Sequence, residues 1–317
     1  MKHKILFIGG AGFIGSSVIK ELEKDKRYRD SVFVLEPSHT NVTRLDGMHV
    51  HLIRGKISDI ELIERIIRAN SIKKVVHLVS TMVPGSGYDE YKQEFENVIF
   101  PTVRLAQLCS RLGVQLVYFS SGGTVYGERK TLEPFVETDP KEPISYYGLS
   151  KQMIENSILF EHRVSNLDFV ILRPSNPYGH GQSINGRQGL IAVALGKVLA
   201  GETMTIWGDG NQVRDYIYID DLSKVVVQLL KKDISCRTIN IGSGEGYTVK
   251  EVLVILSSVV DEDIAVEYTP SRRNDVSNMI LDNSMLMSLC DVQYTPLKEG
   301  IRMFYEYERA RLNISSL

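Results

Sequence analysis

Lys4-Ile5-Leu6-Phe7-Ile8-Gly9-Gly10-Ala11-Gly12-Phe13-Ile14-Gly15 is the stretch that decides the fold. A short apolar run leads into glycines at 9, 12 and 15, and Ile14, Val18 and Leu22 then fall on one helical face. The order is strand, tight turn, helix. Glycines free the turn and let the backbone come close to a pyrophosphate, while the helix amino terminus offers unpaired N–H groups and a positive dipole end. In that context the G-x-x-G-x-x-G spacing predicts a dinucleotide-binding turn.

The same texture repeats outward. Apolar runs at 32–35, 50–53, 75–79, 116–119 and 169–172 alternate with helical stretches such as the one carrying Leu62, Ile66 and Ala69. Such an alternation predicts a parallel sheet covered on both faces, and right-handed crossovers make it an α/β, Rossmann-type doubly wound sheet. Pro101 interrupts the stretch 88–112, where a kink or a helix start is expected. Prolines and glycines then crowd between Pro174 and Gly189 and mark a transition. Residues 1–175 read as the dinucleotide-binding domain and 176–317 as a smaller mixed α/β substrate lobe, with chain segments free to cross between them. In that lobe 190–200, 222–231 and 249–259 read as helices and 204–207 as a strand.

Composition narrows the function. With 317 residues, 43% hydrophobic and 24% charged, the chain is neither collagen-like, coiled-coil nor disordered. No apolar run approaches the roughly 20 residues that span a bilayer. Met1-Lys2-His3-Lys4 leads straight into the first strand, without the apolar core and small-residue cleavage site of a signal peptide. A net charge of −2 selects neither nucleic acid nor anionic membrane. Cys109, Cys236 and Cys290 lack metal-ligand spacing and cannot all pair. A soluble, cytoplasmic protein without a bound metal is expected.

Two further features carry chemistry. Glu36 ends the second strand, where a dinucleotide reader places an acid on the adenosine ribose hydroxyls. It would repel a 2′-phosphate and no arginine adjoins it in the sequence, so NAD is favoured over NADP. Tyr147 and Lys151 lie four residues apart, on one face of a helix. A free phenol titrates near about 10. A neighbouring ammonium favours the phenolate, as would a positive nicotinamide ring, giving a base usable near neutral pH. Tyr88 and Lys92 repeat the spacing in a charged segment, so the position of Tyr147 after the fifth strand and its serine-glycine loop is what distinguishes it. His49 and His51 share a strand face without a third ligand, and His77 ends a buried strand and reads as structural. No Gly-x-Ser-x-Gly is present.

Further motifs stand in order along the chain: His77-Leu78-Val79-Ser80, then Phe119-Ser120-Ser121-Gly122-Gly123-Thr124-Val125-Tyr126-Gly127, then Leu172-Arg173-Pro174-Ser175-Asn176-Pro177-Tyr178-Gly179. Trp207-Gly208-Asp209-Gly210, Arg214-Asp215-Tyr216 and Asn240-Ile241-Gly242 complete the set. From Ile5 to beyond Asp275 the chain resembles the extended short-chain dehydrogenase/reductases, and within them the nucleotide-sugar 4-epimerases. The resemblance implies NAD as cofactor and a UDP-sugar whose C4 is inverted through a transient 4-keto sugar. It implies cofactor contacts from Gly9, Gly12, Phe13, Ile14, Gly15, Glu36 and Ile57. Leu78, Val79, Ser80, Ser120 and Pro174 join them, with Tyr147 and Lys151 at the nicotinamide end. Substrate contacts are implied for Asn176, Arg214, Arg272 and Asp275, with Met82 and Thr124. A homodimer, through the helix bearing Tyr147 and the long helix before it, and a place in polysaccharide biosynthesis are implied as well.

The chain departs from the pattern at two places. Gly122 replaces the serine that bonds the sugar 4-hydroxyl, leaving Thr124 and Ser121 as candidates. Thr124 is preferred, because two glycines could let the loop bring its hydroxyl round. Lys56 replaces an aspartate near adenine, with Asp59 as a substitute. A 4,6-dehydratase needs Asp-Glu where Gly123-Thr124 stands. A UDP-uronate decarboxylase and a catalytically silent NAD-binding sensor also compete with the epimerase. The identity of the sugar is left open.

Overall fold

The computed structural model describes residues 3–186, 188–271 and 276–312. The chain opens with β1 (Lys4–Ile8), α1 (Phe13–Glu23), β2 (Val32–Glu36), β3 (Val50–Arg54), α2 (Ile60–Asn70) and β4 (Ile72–His77). A long rod comes next, made of α3 (Tyr88–Glu94), a π-turn (Phe95–Ile99) and α4 (Phe100–Leu112). After it stand β5 (Gln115–Phe119), a short α5 (Gly122–Val125), α6 (Tyr146–Ser165) and β6 (Phe169–Pro174). Beyond these lie β7 (Asn176–Tyr178), α7 (Leu190–Leu199), β8 (Met204–Trp207), β9 (Val213–Tyr218), α8 (Ile219–Lys231) and β10 (Arg237–Ile241). The last elements are β11 (Gly246–Thr248), α9 (Val249–Val260), β12 (Val266–Thr269), β13 (Asn278–Met279), α10 (Ser284–Leu289) and α11 (Leu297–Arg311).

Seven strands form one parallel sheet in the order β10-β6-β5-β4-β1-β2-β3. Its inner strands each carry an apolar run because both faces are covered. Along β1, Ile5 and Phe7 pack on the side of α1 and α8, while Leu6 and Ile8 pack on the side of α2, α4 and α6. Each such buried side chain contributes roughly 1.5–3 kcal/mol. The chain winds outward from β1 to β3 and returns to β4 on the other side, so β1 and β4 flank the switch point where ligands bind in such sheets. The sheet draws β10 from after residue 176, so a segment of the second half completes it.

The rest builds a smaller mixed lobe. In it β9 pairs with β7 and β13 in parallel and with β11 antiparallel, and β8 pairs with β12. The segment between α5 and α6 crosses onto this lobe through a Phe135–Leu281 bridge and a cluster of Val125, Tyr126, Phe135, Val276, Met279 and Leu281. Pro101 stands in the first turn of α4, the helix start expected of it. The Phe100 amide reaches back five residues to the Phe95 carbonyl, and the proline sits just past that π-turn, near the start of α4. No helix among the described residues is long and apolar enough to cross a membrane.

Candidate active site

The three spaced glycines have three different reasons. Gly9 has φ +84°, and a Cβ there would come within 3.0 Å of Val79 Cγ2, across the switch point. At Gly15 a Cβ would lie 2.6 Å from the Gly10 carbonyl oxygen, so α1 closes on the turn only with glycine there. At Gly12 a Cβ would meet only the Gly9 carbonyl oxygen, at 3.7 Å. The protein does not need Gly12 to be small, whereas a ligand lying on the turn does. Gly12 is also the uncapped start of α1, whose first turn carries no acid, so its N–H groups face any anion without competition. Gly10, outside the spaced set, is needed by the fold as Gly9 and Gly15 are, since its Cβ would lie 2.9 Å from Phe7 Cβ. Phe13 and Ile14 are half-buried at the start of α1, and a Cβ on Gly181 would lie 3.8 Å from the Phe13 ring.

Glu36 is buried and its Oε1 accepts the Ala11 amide at 2.6 Å. Burial lifts its carboxyl above the ordinary value, against the pull of that amide and of Arg54. In the sequence no arginine adjoins Glu36, but the register pairs it with Arg54, whose Nη1 donates to the Pro37 and Thr40 carbonyls. Ile57 is buried. Asp59 Oδ2 accepts the Lys56 amide at 2.7 Å, so this carboxylate closes its own turn.

After β4, the Leu78 amide donates to the Ile8 carbonyl at 2.9 Å. The Val79 amide donates to His77 Nδ1 at 3.2 Å, so Nε2 carries the proton and donates to Thr102 Oγ1 at 2.8 Å. Burial, with Lys151 adding to it, pushes His77 down to about 3, which leaves it a neutral structural group. Beyond it lie Ser80 and the buried Met82, the Ser80 hydroxyl donating to Glu94 at 2.9 Å.

Ser145 caps α6, its Oγ accepting the Gly148 amide at 3.1 Å. Within the first two turns Tyr147 and Lys151 come together, with Lys151 Nζ 5.4 Å from the Tyr147 ring centroid and donating to the Phe119 carbonyl at 3.3 Å. Burial pulls Lys151 down to about 8, while Glu94 and Glu155 hold it up. Burial pushes the Tyr147 phenol up to about 12, with Glu94 adding and a hydrogen bond from Ser121 opposing.

Ser121 starts α5 without making a side-chain cap and lies near enough to the phenol to hold its value down. Thr124 Oγ1 is buried without a hydrogen-bond partner. Ser120, expected at the cofactor, turns its hydroxyl onto Glu155 Oε1 at 2.6 Å. The Tyr88–Lys92 decoy stays apart: Tyr88 is 62% exposed and meets the edge of the Tyr146 ring.

On the substrate side Asn176 pairs with Tyr216 in register, two residues beyond Arg214. Its Nδ2 donates to the Asp215 carbonyl at 2.8 Å. A Cβ on Gly123 would lie 3.7 Å from Asn176 Oδ1 and 3.8 Å from Ser121 Oγ, so both polar groups border this glycine. Arg214 Nη1 donates to the Val213 carbonyl at 2.9 Å. Pro174 ends β6 beside Ile241. Arg272 and Asp275 lie outside the described residues.

Residues 5–242 match the NAD dependent epimerase/dehydratase family. The chain belongs to that family. A UDP-glucose 4-epimerase from Thermotoga maritima, solved with UDP-glucose, superposes with a TM-score of 0.89 at 32% identity, covering 97% of this chain and 99% of its own. A UDP-N-acetylglucosamine 4-epimerase from Methanobrevibacter ruminantium, in complex with UDP-N-acetylmuramic acid, superposes with a TM-score of 0.87 at 26% identity, covering 98% and 100%. An Escherichia coli dTDP-4-dehydro-6-deoxyglucose reductase is 32% identical over 90% of this chain and 91% of its own length. NAD, the family's cofactor, fits the residues present: Gly12 leaves a cradle that any Cβ would fill, and α1 meets it uncapped.

Proposed function

We propose that the protein inverts C4 of a UDP-sugar through a 4-keto sugar. The observation that carries this is the pairing of Tyr147 with the buried Lys151, whose Nζ lies 5.4 Å from the ring centroid. Bound NAD supplies a hydride acceptor that becomes a hydride donor for the return. Gly9, Gly12 and Gly15 would hold its pyrophosphate at the start of α1, and Glu36 would accept from the adenosine ribose.

Tyr147 takes the proton of the sugar 4-hydroxyl on its phenol oxygen and later gives it back. The Ser121 hydroxyl holds that oxygen in place and lowers the cost of its negative charge, and the Lys151 ammonium favours the same charge. Asn176 binds the sugar side, while Arg214 grips the diphosphate, where a planar guanidinium suits paired phosphate oxygens. Arg272 and Asp275 are proposed for the phosphates and the nucleoside ribose. Gly123 places no side chain beside Ser121 and Asn176, so the acid that removes water across C5 and C6 has no seat there.

A dimer fits the outer face of α4 and α6, where Phe100, Phe160 and Val164 are each more than half exposed at 58%, 53% and 57%. Three free cysteines suit a reducing, cytoplasmic setting. The test is a panel of UDP-hexoses, with and without a C2 acetamido group or a C6 acid, given to the protein without added reductant. A new 4-epimer supports the reading and the best substrate names the sugar. Activity only as consumption of added reduced cofactor with a 4-keto sugar would replace it with the reductase chemistry named for the E. coli relative.

A further inference from the structure

Asp215, in the middle of β9, is fully buried. Its Oδ1 accepts the Ser243 amide and the Ser243 hydroxyl, each at 2.9 Å. Its Oδ2 accepts the amides of Gly244 at 3.2 Å and Leu281 at 3.3 Å. Three of these four donors are backbone amides, which cannot turn round to accept a proton, so the cage suits the ionised carboxylate. A Cβ on Gly242 would run into Asp215 Oδ2, so the turn closes on the carboxylate only with glycine there. Four uncharged donors holding a fully buried charge are a costly arrangement for a group that the chemistry at Tyr147 does not use.

The donors come from two sides. Ser243 and Gly244 lie on the turn that leaves β10, the outer strand of the seven-stranded sheet, and Leu281 follows β13 of the smaller lobe. Asn283 closes the same turn, its Nδ2 donating to the Ser243 carbonyl at 2.9 Å. One carboxylate therefore pins the middle of β9 to the cofactor sheet and to its own lobe at once. The backbone that it pins carries the substrate groups. Arg214 is the preceding residue, and the Asp215 carbonyl accepts Asn176 Nδ2 at 2.8 Å, which decides how the Asn176 amide is turned.

We propose that Asp215 is a positioning residue, whose carboxylate holds β9 against the turn after β10 and thereby sets Asn176 and Arg214 for the UDP-sugar. The proposal rests on the reading of those two side chains as substrate groups. It makes the grip on the UDP-sugar depend on a charge that touches no part of the ligand. Burial raises the Asp215 carboxyl from 3.8 to about 6, against the pull of Ser243, Leu281 and Gly244. The other titratable groups on the elements around it are Arg214 and Tyr216 on β9, Tyr178 on β7, Glu245 on the turn, Tyr247 on β11, Asp282 beyond β13 and Tyr294 ahead of α11. Burial pushes Tyr247 and Tyr294 up to about 12, so neither changes charge where Asp215 does.

The test is calorimetric binding of UDP-glucose to the NAD-loaded protein, in the wild type, Asp215→Asn and Ser243→Ala. The asparagine turns an N–H toward an amide donor, and near neutral pH it should weaken UDP-glucose about ten-fold. NAD retention should be unchanged, and the loss should appear in KM more than in kcat. In the wild type the affinity should fall as the pH drops through about 6, and in Asp215→Asn it should stay level. Ser243→Ala removes one of the four bonds and should weaken binding in the same direction by a smaller factor. If Asp215→Asn does not fold, the wild-type pH series and Ser243→Ala decide. Unchanged affinity in the variants, NAD and UDP-glucose lost in equal measure, or a wild-type affinity level through pH 6 would reduce Asp215 to a tie between strands and overturn the proposal. A wild type that binds no UDP-glucose would overturn the functional reading, and this proposal with it.

Discussion

Arg173 grips Glu155 with a two-pronged pair, Nε to Oε1 at 2.9 Å and Nη2 to Oε2 at 2.7 Å. Both groups are buried, and Glu155 lies one turn beyond Lys151 on α6. Ser120 and Lys141 complete the carboxylate's partners, while Arg173 Nη1 donates to the Tyr126 hydroxyl at 2.6 Å, which donates on to Asn240 at 2.6 Å. One network thus ties the catalytic helix to β6, β10 and the crossing loop.

Breaking this pair should be expensive. Removing one partner of a buried ion pair costs about 3–5 kcal/mol, because the other charge is left buried and unpaired. Arg173→Met should lose stability on that scale in chemical denaturation, and Arg173→Met with Glu155→Met should recover part of it. Burial pulls Glu155 upward, but Arg173, Lys141 and Ser120 outweigh it and leave the carboxyl below its ordinary value of 4.5. Its contribution is therefore present above that value and is lost as the pH falls below it. The Glu155→Gln variant should lack this acid-side loss.

Ser121 and Thr124 should separate in kinetics. Ser121→Ala removes the hydroxyl that bonds Tyr147 and should lower turnover about 100-fold, the scale of losing one preorganised donor. Thr124→Val removes a buried hydroxyl that has no partner. It should keep turnover within a few-fold and leave stability unchanged or raised by about 1 kcal/mol. Steady-state rates with thermal melts on both variants decide this.

Gly12 and Gly15 should fail differently. Gly12→Ala has room in the folded protein and an ordinary extended conformation, with φ −69°. It should melt like the wild type and bind NAD weakly. Gly15→Ala drives a Cβ to 2.6 Å from the Gly10 carbonyl oxygen and should cost about 1–3 kcal/mol. Cofactor retention on gel filtration and a melting curve separate the two.

Lys151 should leave an alkaline signature. Its folded value is pulled down to about 8 from 10.5, so between those limits the unfolded chain binds more protons. Stability should then rise with pH across that window, by at most about 3 kcal/mol. Urea denaturation at several pH values should show the rise in the wild type and lose it in Lys151→Met.

The sheet was legible because buried parallel strands are apolar on both faces, which left runs such as Val32 to Leu35 and Leu116 to Phe119 plain in the sequence. The glycine turn and the Tyr147–Lys151 spacing are local and could be read the same way. The features that escaped are non-local. Arg54 reaches Glu36 through strand register, and β10 rejoins the sheet after a detour through the second lobe. Glu94 looks like one more acid in a charged helix until the π-turn buries it, and local spacing carries no sign of that turn. The preference for Thr124 over Ser121 has little to stand on, because choosing between them needs the path of a two-glycine loop.

The central claim is that hydride leaves C4 and returns to C4 within one active site. The direct measurement is to give the protein the UDP-hexose identified by the panel, deuterated at C4, and to trace the label in the 4-epimer. Full retention of deuterium at C4, without added reductant, is the predicted result. Loss of the label to water would mean that C4 is inverted by proton exchange, and would contradict the account.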